Sequence, residues 1–257
     1  MSDFEPIDFT SIDDIPGINA KALFSSELSK TEFRETGDIS PVPIGDKHRY
    51  MPWGADDQLP YDILELIERD ETLSTCQMFN AEICYGSGLL YNTEACSEKV
   101  KEEIDSFFVG NNIPTNYLGV CQDFKYFAFC VNVIILNGDG SKIIRLIRKE
   151  ACYCRLGVAD SNGRIDKLYY ANWRKAKPME DQVEIIDLLD LNAPLCDLMV
   201  RMGRMPGDDG ETCMRTDTRK FAVLTKVPTP DNTYYPIPYY ASLFRGRWYN
   251  IKRLIGL

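Results

Sequence analysis

The sequence is poor in histidine and has no long apolar run. His48 is the only histidine among 257 residues, so a metal site or an acid–base pair that needs an imidazole depends on this residue alone. No apolar run approaches the ~18 residues that a membrane helix needs. The first residues, MSDFEPIDF, lack the basic and then apolar start of a secretory signal. We therefore expect a cytoplasmic protein whose nine cysteines are reduced.

The sequence also lacks the motifs that bind phosphate groups or zinc. The glycine-rich stretches 86–88 and 203–210 match neither G-x-x-x-x-G-K-[ST] nor G-x-G-x-x-G, and turn formation explains both. Cys152 and Cys154 fall in a predicted strand and would share a face. A zinc site would need a second pair of ligands, which is missing. These observations predict no cofactor, no metal and no enzymatic activity.

Charge is abundant but unevenly distributed. The net charge is −10, which argues against general affinity for nucleic acid. Residues 1–45 carry nine acids against three bases. The last nineteen residues carry no acid and four bases, namely Arg245, Arg247, Lys252 and Arg253. Together with the neighbouring aromatic residues, these four are candidates for contact with DNA or with an acidic partner, although a plain amphipathic helix is an equally good interpretation.

A second group of basic residues lies in a predicted β-hairpin. Its members are Lys142, Arg145, Arg148, Lys149 and Arg155. On the second strand of the hairpin, Arg145 and Lys149 fall on one face and Arg148 on the other. Because the charge is divided between the two faces, we expect a solvated sheet surface rather than a single binding patch.

Sequence patterns divide the chain into three parts. Residues 1–45 predict a flexible acidic arm, residues 46–238 an α+β domain, and residues 239–257 a helix that begins near residue 240. The domain begins with helices and continues with a meander of about five antiparallel strands, two of whose turns contain Asn-Gly. In the second helix, Cys76, Phe79 and Ile83 fall on one apolar stripe.

The stretch HRYMPWGADDQLPYDILELI, residues 48–67, is the main candidate site. Asp56 and Asp57 with His48 could bind a metal or act as an acid–base pair. Acids that precede a helix are also favoured by its positive N-terminal end, by about 0.3–1 kcal/mol each. We favour this structural interpretation, in which the tryptophan is an anchor and Pro60 marks the start of the helix.

Several segments in sequence order are similar to portal proteins of tailed bacteriophages, of the kind found in prophages of Bacteroidetes. A W-G-x-x-N/D-x-L-P phrase precedes the first helix of that family, and the second helix ends in a G-x-G-L turn. The matching residues here are Trp53, Gly54, Asp57, Leu59, Pro60, Gly86, Gly88 and Leu89. EACYCRLGVADSNGRIDKLYYANW resembles the sheet of the portal wing, and YPIPYYASLFRGRWYNIKRLIG resembles the passage into the stem helix.

The resemblance implies a structural role without catalysis. Portals are homo-oligomeric rings, usually dodecamers, through which double-stranded DNA passes at one vertex of the capsid. They dock the terminase, the capsid shell and head–tail connector proteins, and they bind no membrane. The implied location is the virion, or the cytoplasm of the bacterial host during assembly.

Family members continue past the position that matches Leu257, with the rest of the stem, the clip and the crown. The resemblance therefore covers the N-terminal wing portion, about residues 48–256, and suggests a truncated gene, one part of a split gene or a prophage remnant. For this portion we expect a monomer or a weak oligomer, with weak and non-specific DNA contact. Two alternatives stay open: an adaptor that binds a protein partner, and a metal-dependent enzyme that uses Asp56 and Asp57.

Overall fold

A computed structural model describes residues 40–54, 56–92, 94, 96–174, 177–205, 218–230 and 234–241. Most of the predicted acidic arm, and the predicted terminal helix with its four basic residues, lie outside the described residues. Within them, the α+β class predicted from the sequence is confirmed. No described helix is long and apolar enough to cross a membrane.

Eight strands form one sheet in the described part of the chain. They are β1 (Val42–Ile44), β2 (His48–Met51), β3 (Phe129–Leu136), β4 (Ile143–Lys149), β5 (Cys154–Gly157), β6 (Lys167–Tyr170), β7 (Glu184–Leu188) and β8 (Lys220–Lys226). Strand β1 falls within the segment that the sequence assigned to the arm. Its residue Ile44 is only 1% exposed, so the folded domain begins before residue 46.

Five α-helices accompany the sheet within the same described residues. They are α1 (Leu59–Arg69), α2 (Glu71–Tyr85), α3 (Glu98–Gly110), α4 (Ile113–Phe127) and α5 (Pro194–Arg201). Asp70 caps α2, because its side chain accepts a hydrogen bond from the Leu73 amide at 3.0 Å. Gly86 ends α2 at φ 54° and Gly88 follows at φ 84°, as the turn chemistry of the sequence predicted.

The prediction of a purely antiparallel meander is wrong. The strand order is β1-β2-β5-β6-β7-β8-β3-β4, and β7 pairs with β8 in parallel. The chain therefore leaves the hairpin β3–β4, builds the middle of the sheet, and returns with β8 to pair along the free side of β3. Strand β3 becomes an inner strand, and six of its eight residues are apolar and buried, on both faces of the sheet. Both Asn-Gly turns, at 137–138 and 162–163, join neighbouring antiparallel strands as predicted.

The apolar stripe of α2 does not face the core. Leu73, Gln77 and Ala81 are its buried residues, while Phe79 is 59% exposed and Ile83 is 60% exposed. The stripe lies roughly a third of a turn away from the buried face of the helix. Helix α4 packs closely on the face of α2 that carries the small residue Ala81.

An ion pair joins α4 to the hairpin strand β4. Arg148 donates from Nε to Oδ2 of Asp123 at 2.7 Å and from Nη2 to Oδ1 at 3.2 Å, and the aspartate is 4% exposed. Gly119 leaves room for the guanidinium, because a Cβ at this position would lie 2.5 Å from Nη1 of Arg148. Burial raises the pKa of Asp123 from 3.8 to about 6, although Arg148 opposes the shift.

The raised pKa of Asp123 predicts a specific pH dependence of stability. The folded protein binds this proton more tightly than the unfolded chain, so the contribution of Asp123 is most favourable at low pH and is lost as pH rises to about 6. The quantity to compare is the difference in free energy of unfolding, wild type minus Asp123→Asn. This difference should fall by roughly 3 kcal/mol between about pH 4 and about pH 7. Denaturant titrations of both proteins measure this difference. Parallel pH profiles would contradict the assignment.

Candidate functional site

Asp57, in the loop between Trp53 and Pro60, forms an ion pair with a buried arginine. Arg155 of β5 donates from Nε to Oδ1 of Asp57 at 2.5 Å, although 98 residues separate the two in the chain. The arginine side chain is 0% exposed and that of the aspartate 15%. Burial raises the pKa of Asp57, and the positive charge of Arg155 opposes this shift. The pair therefore fixes the loop onto the sheet.

The remaining nitrogens of Arg155 bind backbone carbonyls. Nη2 donates to the carbonyl of Asp57 at 2.9 Å. Nη1 donates to the carbonyls of Cys152 and Cys154 at 3.0 and 2.9 Å. A buried guanidinium must have its donors satisfied, and here each of its three nitrogens has a partner. The arginine is thus held in one orientation.

The carboxylate of Asp57 is also saturated with donors from its own segment. Its Oδ1 accepts from the Trp53 amide at 2.7 Å, and its Oδ2 accepts from the Tyr50 hydroxyl at 3.3 Å. Desolvation raises the pKa of Tyr50, with the nearby Asp57 charge adding to it, so the hydroxyl stays a donor. The carboxylate is therefore a structural acceptor with little capacity left for a metal ion or a substrate.

Trp53 anchors the loop in an aromatic cluster. Its ring is 2% exposed and stacks on Tyr235, with a centroid distance of 4.8 Å and an angle of 7° between the planes. Phe127 and Phe129 lie at 5.4 and 5.0 Å from the same ring. Stacked and tilted geometries of this kind are favourable for aromatic pairs. The tryptophan thus joins the loop to α4, to β3 and to the segment after β8.

The backbone of the loop needs the residue types that the sequence supplies. Gly54 has φ 85°, and a Cβ there would lie 2.8 Å from Cβ of Leu59. Asp57 has φ 62°, in the left-handed region that aspartate tolerates better than most residues. Pro60 lies in the first turn of α1, and both it and Leu59 are buried. The tight loop therefore turns the chain directly from the anchor into the helix.

The other two residues of the predicted catalytic group lie apart from this network. Asp56 is exposed, and its Oδ1 accepts from the Gln58 amide at 3.1 Å, which is a local turn contact. The His48 ring packs edge-on against Tyr169, with centroids 6.0 Å apart. Among the described residues, no group of three or more His, Cys, Asp or Glu side chains could hold a metal ion. The two adjacent aspartates thus serve different structural purposes.

The two cysteines beside Arg155 are buried thiols. Cys154 is 0% exposed and Cys152 is 7% exposed. Burial raises the pKa of Cys152 to about 12 and that of Cys154 well above its ordinary value. Thiols that stay protonated are poor metal ligands and poor nucleophiles. Both cysteines act as small apolar residues, as the sequence predicted.

Three basic residues of the hairpin form ion pairs with three different acidic residues. Lys142 pairs with Glu103 of α3, Arg148 pairs with Asp123, and Lys149 pairs with Glu184 at 2.7 Å. For Arg155, the prediction of a solvated sheet face is wrong, since this residue is completely buried. No single basic patch results from these residues.

Sequence reasoning missed two of the residues that complete the site. Nothing in the neighbouring sequence shows that Arg155 is buried, because a single arginine between Cys154 and Leu156 is equally compatible with a side chain that faces solvent. Tyr235 donates from its hydroxyl to the Met51 carbonyl at 2.6 Å and accepts from the Leu156 amide at 2.9 Å. It lies in a proline-rich stretch whose contacts depend only on the tertiary fold.

Comparison of the chain with protein-family models and with curated proteins finds no match. The candidate site is therefore interpreted from its own geometry: a loop anchored by an aromatic cluster and a buried ion pair.

Proposed function

We propose that this protein is a structural subunit that resembles the wing of a phage portal and acts in assembly at a capsid vertex. One observation carries the proposal. The stretch that is similar to portal proteins, Trp53 to Pro60, is a rigid anchor whose carboxylate is bound by Arg155 and two local donors. A segment of this kind positions a helix on a sheet, which suits a scaffold better than a catalytic loop.

Exposed apolar residues also support a role in assembly. Helix α3 has no fully buried residue, and its Val109 is 82% exposed. Leu90, in the turn that follows α2, is 85% exposed. Large exposed apolar side chains occur on protein-interaction surfaces. A subunit that assembles with other proteins needs such surfaces.

The genes on both sides of the coding sequence test this proposal. We expect a large terminase subunit upstream, a capsid gene downstream, and portal-like coding sequence after the Leu257 codon in some frame. Neighbours that include no packaging or capsid gene would contradict the proposal. Light scattering adds a second criterion, since we expect a monomer or a weak oligomer, and a stable large ring of this chain alone would contradict that expectation.

DNA contact through the terminal basic residues is part of the same proposal. We expect weak binding at low salt, because the chain carries a net charge of −10. If Arg245, Arg247, Lys252 and Arg253 each neutralise one phosphate, the slope of log K against log salt is about −3.6. Gel-shift titrations at several salt concentrations measure this slope, and replacing the four residues by glutamine should abolish it. Absence of binding at low salt would exclude DNA contact for this chain.

A non-catalytic adaptor is the second candidate, and one observation favours it. An open groove of about 730 Å³ lies between α3, the β3–β4 turn and α5. Phe107, Ile143 and Leu198 are among its apolar lining residues. A groove of this kind suits an apolar segment of a partner protein. A gene neighbourhood without packaging genes, together with a specific protein partner for this groove, would favour the adaptor over the portal-like subunit.

A further inference from the structure

The outer face of α2 carries an apolar stripe that no described residue covers. Cys76, Phe79 and Ile83 lie at spacings of three and four, and all three are exposed. The buried residues of the same helix are Leu73, Gln77 and Ala81. The more apolar side of the helix therefore faces outward, which is the reverse of an ordinary surface helix. Such a stripe is typical of a surface that receives another helix.

The charge around the stripe restricts what can cover it. Residues 59–110, which include α1 to α3, carry eleven acids against three bases. The N-terminal 39 residues also carry nine acids against three bases, so this surface would repel them. A polyanion such as DNA is excluded by the same argument. The occupant must combine an apolar seam with positive charge.

Residues 242–257 have this combination of properties. Phe244, Trp248, Ile251 and Ile255 follow one another at spacings of four, three and four, which predicts an apolar seam on a helix. Arg245 and Lys252 flank the seam at equivalent positions, seven residues apart, and the segment contains no acid. Two helices with seams spaced by three and four residues can pack side by side along their lengths, and flanking charges of opposite sign stabilise the pair.

The described chain ends beside α4, near the N-terminal end of the helix that carries the stripe. The Tyr240 hydroxyl donates to the Tyr126 carbonyl in the last turn of α4. Helix α4 runs antiparallel to α2: the rings of Tyr85 and Tyr117 lie 5.8 Å apart, and Gln122 contacts Met78 at 3.4 Å. The last turn of α4 therefore lies beside the first turns of α2. The segment after Ala241 begins there, and its sixteen residues span about 24 Å as a helix, against about 10 Å for the stripe.

We propose that residues 242–257 dock as an amphipathic helix on the stripe of Cys76, Phe79 and Ile83 of the same chain. Docking within one chain is favoured over docking on a second copy because the segment is tethered beside its site, which raises its effective concentration. The proposal does not depend on the portal-like function and holds equally for an adaptor.

Trypsin cleavage of the intact protein tests the proposal, because the segment contains four trypsin sites. Cleavage at Arg245 and Arg247 is followed by mass spectrometry of the released fragments. In the double variant Phe79→Asp/Ile83→Asp, this cleavage should be about tenfold faster or more than in the wild type, since proteolysis follows the population of the undocked state. The wild-type rate should be the same at low and high protein concentration.

The double variant Val100→Asp/Val109→Asp is the matched control, because it adds the same two charges at exposed apolar positions of α3 outside the stripe. It should leave the cleavage rate unchanged. The control should unfold at the wild-type denaturant midpoint. The Phe79→Asp/Ile83→Asp variant should fold but unfold at a slightly lower midpoint, because it loses the contacts of the docked segment while the buried core is unchanged. Equal cleavage of the wild type and the Phe79→Asp/Ile83→Asp variant would overturn the proposal. Protection that increases with protein concentration would also overturn it and would indicate docking on a second copy.

Discussion

Replacing Asp57 by alanine is expected to lower the free energy of unfolding by about 3–5 kcal/mol. The substitution leaves Arg155, whose side chain is 0% exposed, without its counter-charge. It also removes the acceptor of the Trp53 amide and places alanine at φ 62°, which alanine adopts unfavourably. Chemical denaturation of the wild type and the variant measures the loss.

The neighbouring aspartate provides the matched control for Asp57. Asp56→Ala should change the free energy of unfolding by less than about 1 kcal/mol, because Asp56 is exposed and makes only a local contact. In the double variant Asp57→Ala/Arg155→Met, the loss should be clearly smaller than the sum of the two single losses, because no buried charge is left unpaired. Equal small effects at Asp56 and Asp57, combined with loss of a metal-dependent activity in both, would favour the enzymatic alternative.

Replacing Trp53 by alanine is the second large expected effect. The cavity left in the aromatic cluster should lower the free energy of unfolding by about 3–5 kcal/mol. Loss of the stacked contact with Tyr235 adds to this cost, because the two rings are nearly parallel and their centroids lie 4.8 Å apart. Thermal and denaturant unfolding of the variant measure the change.

Two controls show whether the effect of Trp53 arises from its anchoring position. Trp53→Phe retains an aromatic ring against Phe127 and Phe129 and should lose clearly less than the alanine variant. Tyr239→Ala removes an aromatic ring that is 75% exposed and should change the free energy of unfolding by less than about 0.5 kcal/mol. An alanine variant at position 53 as stable as the wild type would show that the tryptophan does not anchor the loop.

Features with a local cause could be predicted from the sequence. The Asn-Gly turns form where they were expected, and each contains a glycine at positive φ, Gly140 at 71° and Gly163 at 77°, a conformation that glycine adopts without strain. The start of α1 near Pro60 and the end of α2 at Gly86 follow from similarly local rules. For the acids before α1, the sequence predicted a favourable interaction with the end of the helix. The carboxylate of Asp57 instead contacts Arg155, the Trp53 amide and the Tyr50 hydroxyl, so its structural role has a different cause.

Features that depend on distant partners could not be predicted from the sequence. The return of β8 to pair with β3 joins segments about 90 residues apart, and its parallel pairing with β7 joins residues 34 apart, such as Asp187 and Phe221. No turn signal encodes either pairing. The ion pair of Asp57 with Arg155 spans 98 residues. The outward position of the stripe of α2 could not be predicted either, because periodicity shows which residues share a face but not which face is covered.

Localisation in assembled particles tests the proposed function most directly. An antibody against the folded domain, used in immunogold electron microscopy of particles from the phage or element that encodes the protein, reports where the protein lies. The proposal predicts label at a single vertex of each particle, where DNA enters and where the tail attaches. Particles without label, or label distributed evenly over the shell, would contradict the portal-like role.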